Sequence, residues 1–156
     1  MTTTARHSRP DRDVAAMSLL SVSLTAILAA ITHAYEFGPA ALVVGAIGVA
    51  VLAALSIGFR RTGNRVILGL YALLDLWIIG GFGIVGGFWN HAVKAVLVAV
   101  HAGTLPPSVA TWFIAPELGS VVYETLGILT FVTGLAAARD GYRFLRSARA
   151  SRGAVP

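Results

Sequence analysis

Four long apolar runs, separated by charged or turn-forming stretches, dominate the chain. They cover about residues 14–35, 38–59, 66–88 and 118–138. A run of about 20 apolar residues in a helix crosses a hydrocarbon core of about 30 Å. The pattern predicts an all-α integral membrane protein, a four-helix bundle with four transmembrane spans that forms one domain over residues 1–156.

A fifth uncharged stretch, residues 95–116, has the length of a span but contains Gly103 and the Pro106-Pro107 pair. Backbone groups freed by such a break find no partner in lipid, so this stretch is not expected to cross the membrane. Residues 89–102 instead predict a short amphipathic helix on the outer face, between spans three and four. It carries His91, Lys94 and His101 on one side.

The composition supports a membrane location. Hydrophobic residues make up 56 % of the chain and charged residues 12 %, whereas a soluble domain has about a quarter charged residues. The absence of cysteine excludes disulfides, thiolate metal sites and cysteine nucleophiles. The net charge of +5 does not indicate a nucleic-acid partner, because the basic residues flank apolar runs. The expected partner is the lipid bilayer.

The basic residues also predict an orientation. Eleven of the twelve are arginines before span one, between spans two and three, or after span four, and Lys94 alone falls on the other side. The positive-inside rule then places both termini in the cytoplasm and the chain in the inner (plasma) membrane of a bacterium, the source that an arginine-rich composition favours. The basic tail, residues 139–156, is expected to rest on anionic headgroups. The alternative for the first span is a signal peptide cleaved after Ala34.

Several polar residues fall at the outer ends of the spans and form the candidate ligand-binding set. They are His33, Glu36, Asn90, His91, Lys94, His101 and Glu124. Imidazole and carboxylate ligands suit copper, zinc or iron, and paired imidazoles suit haem b, so His33, His91, His101 and Glu124 are the candidate metal ligands. His91 and His101 lie about 15 Å apart along a helix and cannot share one ion without a bend.

Two other interpretations of the same residues need no ligand. Lys94 can form an ion pair with Glu124 or Glu117, because a carboxylate inside a span needs a partner. The histidines can be hydrogen-bonded residues at the interface.

Asp75 is a membrane-embedded acid, about nine residues into span three and therefore expected near the midplane. Hydroxyl groups predicted near the same depth are those of Ser21, Ser23, Thr25, Thr130 and Thr133, with that of Tyr71 one turn below. They suggest either a hydrogen-bonded network that locks the bundle or a proton relay from Asp75 to Glu124. In the outer half of the same span, Gly83 and Gly87 form a GxxxG pair that predicts close helix packing.

Three functions fit these features. The first is an accessory or redox membrane protein that holds a metal, a haem or a small polar ligand in the His/Glu layer. The second is a structural or assembly subunit of a larger membrane complex. The third is a small transporter that works as a homo-oligomer, with Asp75 and Glu124 as coupling acids. No phosphate loop or nucleophile-base pair is visible, so an enzyme is the minority interpretation.

Overall fold

Helices account for nearly all of the chain that the computed structural model describes, which comprises residues 12–101, 103–114 and 117–153. The elements, in chain order, are α1 (Arg12–Phe37), α2 (Ala40–Thr62), α3 (Arg65–Trp77), a π-helix (Ile78–Val93), α4 (Lys94–Val100), α5 (Pro107–Ala110) and α6 (Val121–Gly153). The described residues contain no strand, so the predicted all-α class is confirmed.

Four helices are long and apolar enough to cross a membrane: α1, α2, the continuous helix Arg65–Val100, and α6. The predicted four-span bundle of a multi-pass membrane protein is confirmed. Below, Arg65–Val100 is called the third helix. The end of the bundle that carries His33 and His91 is called the histidine end, and the opposite end, with Arg60 and Arg139, the arginine end.

Two tight turns connect the first three helices. Gly38, with φ +80°, and Pro39 separate α1 from α2. At the other end Gly63 has φ +67° and donates its N–H to Phe59 O, which closes α2 in a left-handed cap. The Asn64 side chain then accepts a hydrogen bond from Val66 N at 2.8 Å and begins α3. Such short turns make successive helices antiparallel neighbours.

The third helix differs from the prediction at its outer end. Over its described residues, 89–101, the predicted amphipathic helix 89–102 is not a separate element, because the chain continues without a break through the π-helix into α4. No proline interrupts it before His101, and His91 and Lys94 are buried in the bundle rather than turned to water. The part of the predicted polar face that carries His91 and Lys94 is therefore internal, and only His101 at its end is exposed.

The arginine end also extends further than predicted. Residues 139–153 continue α6 rather than forming a tail on the headgroups, and Phe144 and Ala148, one turn apart, are buried. The Phe144 ring packs edge-on against Phe59 and Tyr71, with centroids 5.8 and 5.5 Å apart. Arginines occupy the exposed side of this segment. Its apolar positions therefore complete the core, and only its basic face is free to meet headgroups.

Glycines set the distance between the third helix and α6. A β-carbon on Gly87 would lie 2.6 Å from Gly127 O, and one on Gly83 would lie 3.3 Å from the Gly134 Cα. The predicted close packing at the GxxxG pair is confirmed. By contrast, α2 lies at the edge of the bundle and packs mainly on α1 and α3. The half of α2 nearer the histidine end is therefore not packed against the π-helix.

Candidate ligand-binding site

A buried ion pair forms the centre of the histidine end. One oxygen of Glu124, Oε1, accepts from Lys94 Nζ at 3.0 Å and from Gly119 N at 2.8 Å, and the other, Oε2, lies 2.8 Å from His91 Nδ1. The exposed fractions are 1 % for Lys94, 5 % for His91 and 9 % for Glu124. The predicted Lys94–Glu124 ion pair is confirmed. Three donors offset the cost of burying this carboxylate.

The local sequence explains how these side chains meet. His91 and Lys94 are three residues apart and share one face of the third helix, whereas Glu124 lies in the first turn of α6. One turn further along α6 is Gly127, where any β-carbon would overlap the His91 ring. The Tyr123 ring meets the His91 ring edge-on at 4.8 Å. The imidazole is therefore held on three sides.

The linker between α4 and α6 is fastened over this end by the third helix. Its contacts are Trp89 Nε1 to Trp112 O at 2.9 Å, Ile114 N to Asn90 Oδ1 at 3.0 Å, and Lys94 Nζ to Glu117 O at 3.1 Å. Trp89 also stacks on Phe113. Lys94 thus bonds the backbone carbonyl of Glu117 in addition to the Glu124 carboxylate. The structure assigns Asn90 and Lys94 to holding the linker.

The hydrogen bonds of His33 and His91 determine which ring nitrogen can meet a ligand. His33 Nδ1 lies 2.8 Å from Ala29 O, and a carbonyl oxygen only accepts, so Nδ1 carries the proton. His91 Nδ1 faces a Glu124 carboxylate that already accepts from Lys94 and a backbone N–H, so it also donates. In neutral imidazole the Nε2 atom of each ring then keeps its lone pair.

Both histidines line one small cavity between α1, the π-helix and α6. Its volume is about 10 Å³, enough for one water molecule or one ion, and Thr32 and Thr130 also line it. Each threonine hydroxyl donates to a carbonyl of its own helix. The cavity therefore combines two imidazoles and two hydroxyl oxygens within an otherwise apolar wall.

A larger groove adjoins this cavity and shares His33, Ala29 and Phe82 with it. The groove has a volume of about 470 Å³ and lies between α1, α2 and the third helix. Apart from the Trp77 indole, His33 is its one polar side chain. Phe82 meets the His33 ring edge-on at 5.2 Å, at the junction between groove and cavity.

The remaining predicted ligands do not join this site. His101 is exposed at the end of α4, about three turns beyond His91, and Glu36 is exposed and interacts with the Tyr123 hydroxyl. Within residues 12–101, 103–114 and 117–153, no three His, Asp or Glu side chains form a group able to hold a metal. The four predicted metal ligands therefore do not assemble as a set; only His33 and His91 line the cavity, and Glu124 lies behind His91.

Asp75 lies nearer the arginine end than predicted. Its carboxylate packs on Gly141 of α6, where a β-carbon would overlap Oδ2. Thr130 and Thr133, expected at the same depth, lie 11 and 8 residues earlier on α6, or about 12–16 Å along the helix. Glu124 is about 25 Å from Gly141 on the same scale. This separation gives no support to a short relay between the two acids.

Among the described residues the expected hydroxyl groups do not form a connected network around Asp75, although Tyr71 does bond between helices. Four hydroxyls donate to carbonyls of their own helices, those of Ser21, Thr25, Thr130 and Thr133. Ser18 and Tyr71 instead bond between helices, with 2.9 Å between their hydroxyl oxygens. Asp75 is 5 % exposed, and its Oδ1 has no hydrogen-bond partner among the described residues.

Sequence reasoning missed the parts of the site that carry no polar side chain. The Ala29 carbonyl fixes the His33 tautomer, and Gly127 makes room for the His91 ring. The three-residue spacing between Glu124 and Gly127 is a sequence signal for part of this arrangement, since it places both residues on the same face of α6. Comparison of the chain with protein-family models, curated proteins and solved structures finds no match.

Proposed function

We propose that this protein binds a single transition-metal ion in the cavity between His33 and His91. The supporting observation is that both imidazoles line one ion-sized cavity and that both use Nδ1 as a hydrogen-bond donor. Metal-bound histidines generally donate their second ring N–H to a carbonyl or carboxylate, which orients the ring and raises the basicity of the other nitrogen. Ala29 O and Glu124 occupy those two supporting positions.

The donor set indicates the class of metal. Neutral imidazole suits copper, zinc and iron, so these ions are the candidates. A cavity of about 10 Å³ does not accommodate a haem macrocycle, and the proposal is therefore limited to an ion. Two protein nitrogens leave coordination positions open, whereas structural zinc sites are closed by four protein ligands. Of the ligands considered from the sequence for an accessory or redox membrane protein, this proposal keeps only the metal ion.

The test is metal binding by purified protein in detergent, prepared without chelator and titrated with zinc or copper. We expect His33→Ala and His91→Ala each to weaken binding by about 10-fold or more, the range seen even for loss of supporting groups. His101→Ala is the matched control and should bind as the wild type does, because His101 is exposed and outside the cavity. Failure of the wild-type protein to bind any of these ions at micromolar concentration would refute the proposal.

We also propose that the arginine end faces the cytoplasm of a bacterial cell and that the inner membrane holds the bundle. The exposed arginines of the α2–α3 turn and of α6 lie at this end, and Lys94 lies at the other. Reporter fusions after Gly63 and at the C-terminus should read cytoplasmic, and a fusion after Thr104 should read outside. An outside reading for the α2–α3 turn would reverse the orientation.

A further inference from the structure

The route into the His33–His91 cavity from the water beyond the histidine end is covered. The linker lies across this end and is bonded to Trp89, Asn90 and Lys94. Lys94 and His91 beneath it are almost fully buried. A ligand that joins the metal in the cavity therefore has a more direct approach from the side of the bundle.

The groove provides that side approach. Its two rims carry Val44 of α2 and Trp77 of α3, which are 69 % and 68 % exposed. The walls between them are mostly alanine and glycine, and Gly45 packs on Ala30 so closely that a β-carbon there would overlap it. The volume of about 470 Å³ is within the usual range of about 300–1,000 Å³ for small-molecule sites. Because the rims belong to membrane-spanning helices, the groove opens toward lipid.

The polar group at the inner end of the groove indicates which kind of ligand the groove can bind. His33 is the polar side chain at the junction with the cavity, and its Nδ1 is already bonded to Ala29 O. A molecule at this junction contacts the His33 imidazole, whose Nε2 keeps its lone pair when the ring is neutral, or the metal proposed to bind that nitrogen. A hydroxyl group satisfies both, since its hydrogen bonds a lone pair and its oxygen binds a metal. The aromatic ring of Phe82, which meets His33 at this junction, favours a ring next to that hydroxyl.

We propose that the groove binds a bilayer-soluble phenol with an apolar tail, whose hydroxyl oxygen occupies an open position on the metal between His33 and His91. This inference rests on the proposed metal site and assigns the class of ligand that the site serves. The tail lies along the small residues of α2, and the ring lies near Phe82.

The experiment uses 4-octylphenol as the probe and octylbenzene, which lacks the hydroxyl, as its matched ligand. Affinities are measured by titration calorimetry on the full-length protein in detergent, with and without bound zinc. We expect zinc-loaded protein to bind 4-octylphenol at least about 10-fold more tightly than octylbenzene, and removal of zinc to weaken phenol binding. Equal affinities for the two probes, or phenol binding that zinc does not change, would overturn the inference.

A pair of glycine variants controls for partition into detergent. Gly48 lines the groove, and a β-carbon there meets nothing within 4 Å, so Gly48→Leu should fold and fill the groove. Gly69→Leu is matched, because its site on α3 is equally open and outside the groove. Gly48→Leu should weaken phenol binding by at least about 10-fold and Gly69→Leu should not; equal binding in both would refute the groove as the site.

Zinc affinity in the same two variants separates this inference from the proposed function. Both variants should bind zinc as the wild type does, since neither glycine lines the His33–His91 cavity. Zinc binding without phenol binding overturns only the groove ligand. Absence of zinc binding in the wild type overturns the metal site. If a protein that binds no zinc still binds the phenol, the proposal that the metal holds the phenol hydroxyl is also overturned.

Discussion

Glu124 and Asp75 are both acids buried in the membrane-spanning part of the bundle, but their surroundings differ. Glu124 accepts hydrogen bonds from His91, Lys94 and a backbone N–H, whereas Oδ1 of Asp75 has no partner among the described residues. Each lies close to a glycine of α6 that makes room for a neighbouring side chain: Gly127 for His91 and Gly141 for Asp75. At both ends of the bundle a glycine of α6 thus makes room for a buried side chain. Only at the histidine end is the buried acid surrounded by hydrogen-bond donors.

The difference follows from position along the helices. Glu124 lies in the first turn of α6, beside a linker whose backbone donors are not used by a helix, so Gly119 N can donate to its carboxylate. Asp75 lies inside the third helix, opposite the interior of α6, where the backbone groups are already used by the helices. Only side chains could pair with Asp75, and the α6 residue on which its carboxylate packs, Gly141, has none. Buried charge is thus concentrated where a helix end supplies partners.

The largest effect is expected at Glu124. Glu124→Ala leaves Lys94 buried without its carboxylate, and breaking such a buried pair costs about 3–5 kcal/mol in the free energy of unfolding. The measurement is denaturant unfolding in detergent micelles. Glu117→Ala is the matched control, because Lys94 bonds the backbone oxygen of Glu117 and its side chain is exposed, so it should change stability by less than about 0.5 kcal/mol. Equal losses in both variants would mean that the ion pair does not anchor this end.

A smaller effect is expected from the two glycines. Gly127→Ala forces a methyl group into the His91 ring, which is fixed by Glu124, and overpacking of this kind costs about 1–3 kcal/mol. Gly141→Ala should cost less, since the atom it meets is the end of an Asp75 side chain. Gly127→Ala should also weaken zinc binding, whereas Gly141→Ala should not. A greater loss of stability from Gly141→Ala would show that Asp75 is the more tightly held group.

The smallest effect is expected from Asp75→Asn. An amide keeps a donor and an acceptor of nearly the same shape, and the side chain has no ion pair to lose among the described residues, so the free energy of unfolding should change by no more than about 1 kcal/mol. Thermal unfolding in detergent at neutral pH checks this. A loss comparable to that of Glu124→Ala would identify Asp75 as a paired, ionised carboxylate.

Hydrophobic run length was sufficient to predict the four spans, but their outer limits required the tertiary structure. The third span was predicted to end at residue 88 and the fourth at residue 138, before Arg139, whereas both helices continue beyond those positions. Lys94 is tolerated inside because Glu124 pairs with it, and the segment after Arg139 is helical because Phe144 has a pocket to fill. Neither partner is visible from local sequence.

The sequence predicted which residue type lines the candidate site, namely histidine, but only some of the named residues are found there. His33 and His91 were identified because both follow outward-running apolar spans, and both line the cavity. His101 and Glu36 share their depth in the sequence but point elsewhere, since the rotation of each helix is set by packing. The tautomers of His33 and His91 also depend on the tertiary structure, because Ala29 O and Glu124 determine which ring nitrogen carries the proton.

The most direct test of the metal site is X-ray absorption spectroscopy of zinc-loaded protein. We predict two imidazole nitrogens at about 2.0–2.1 Å from the metal in the wild type and in His101→Ala, and one in His33→Ala. A spectrum without imidazole scattering, or one that His33→Ala leaves unchanged, would contradict the assignment of His33 and His91 as the ligands.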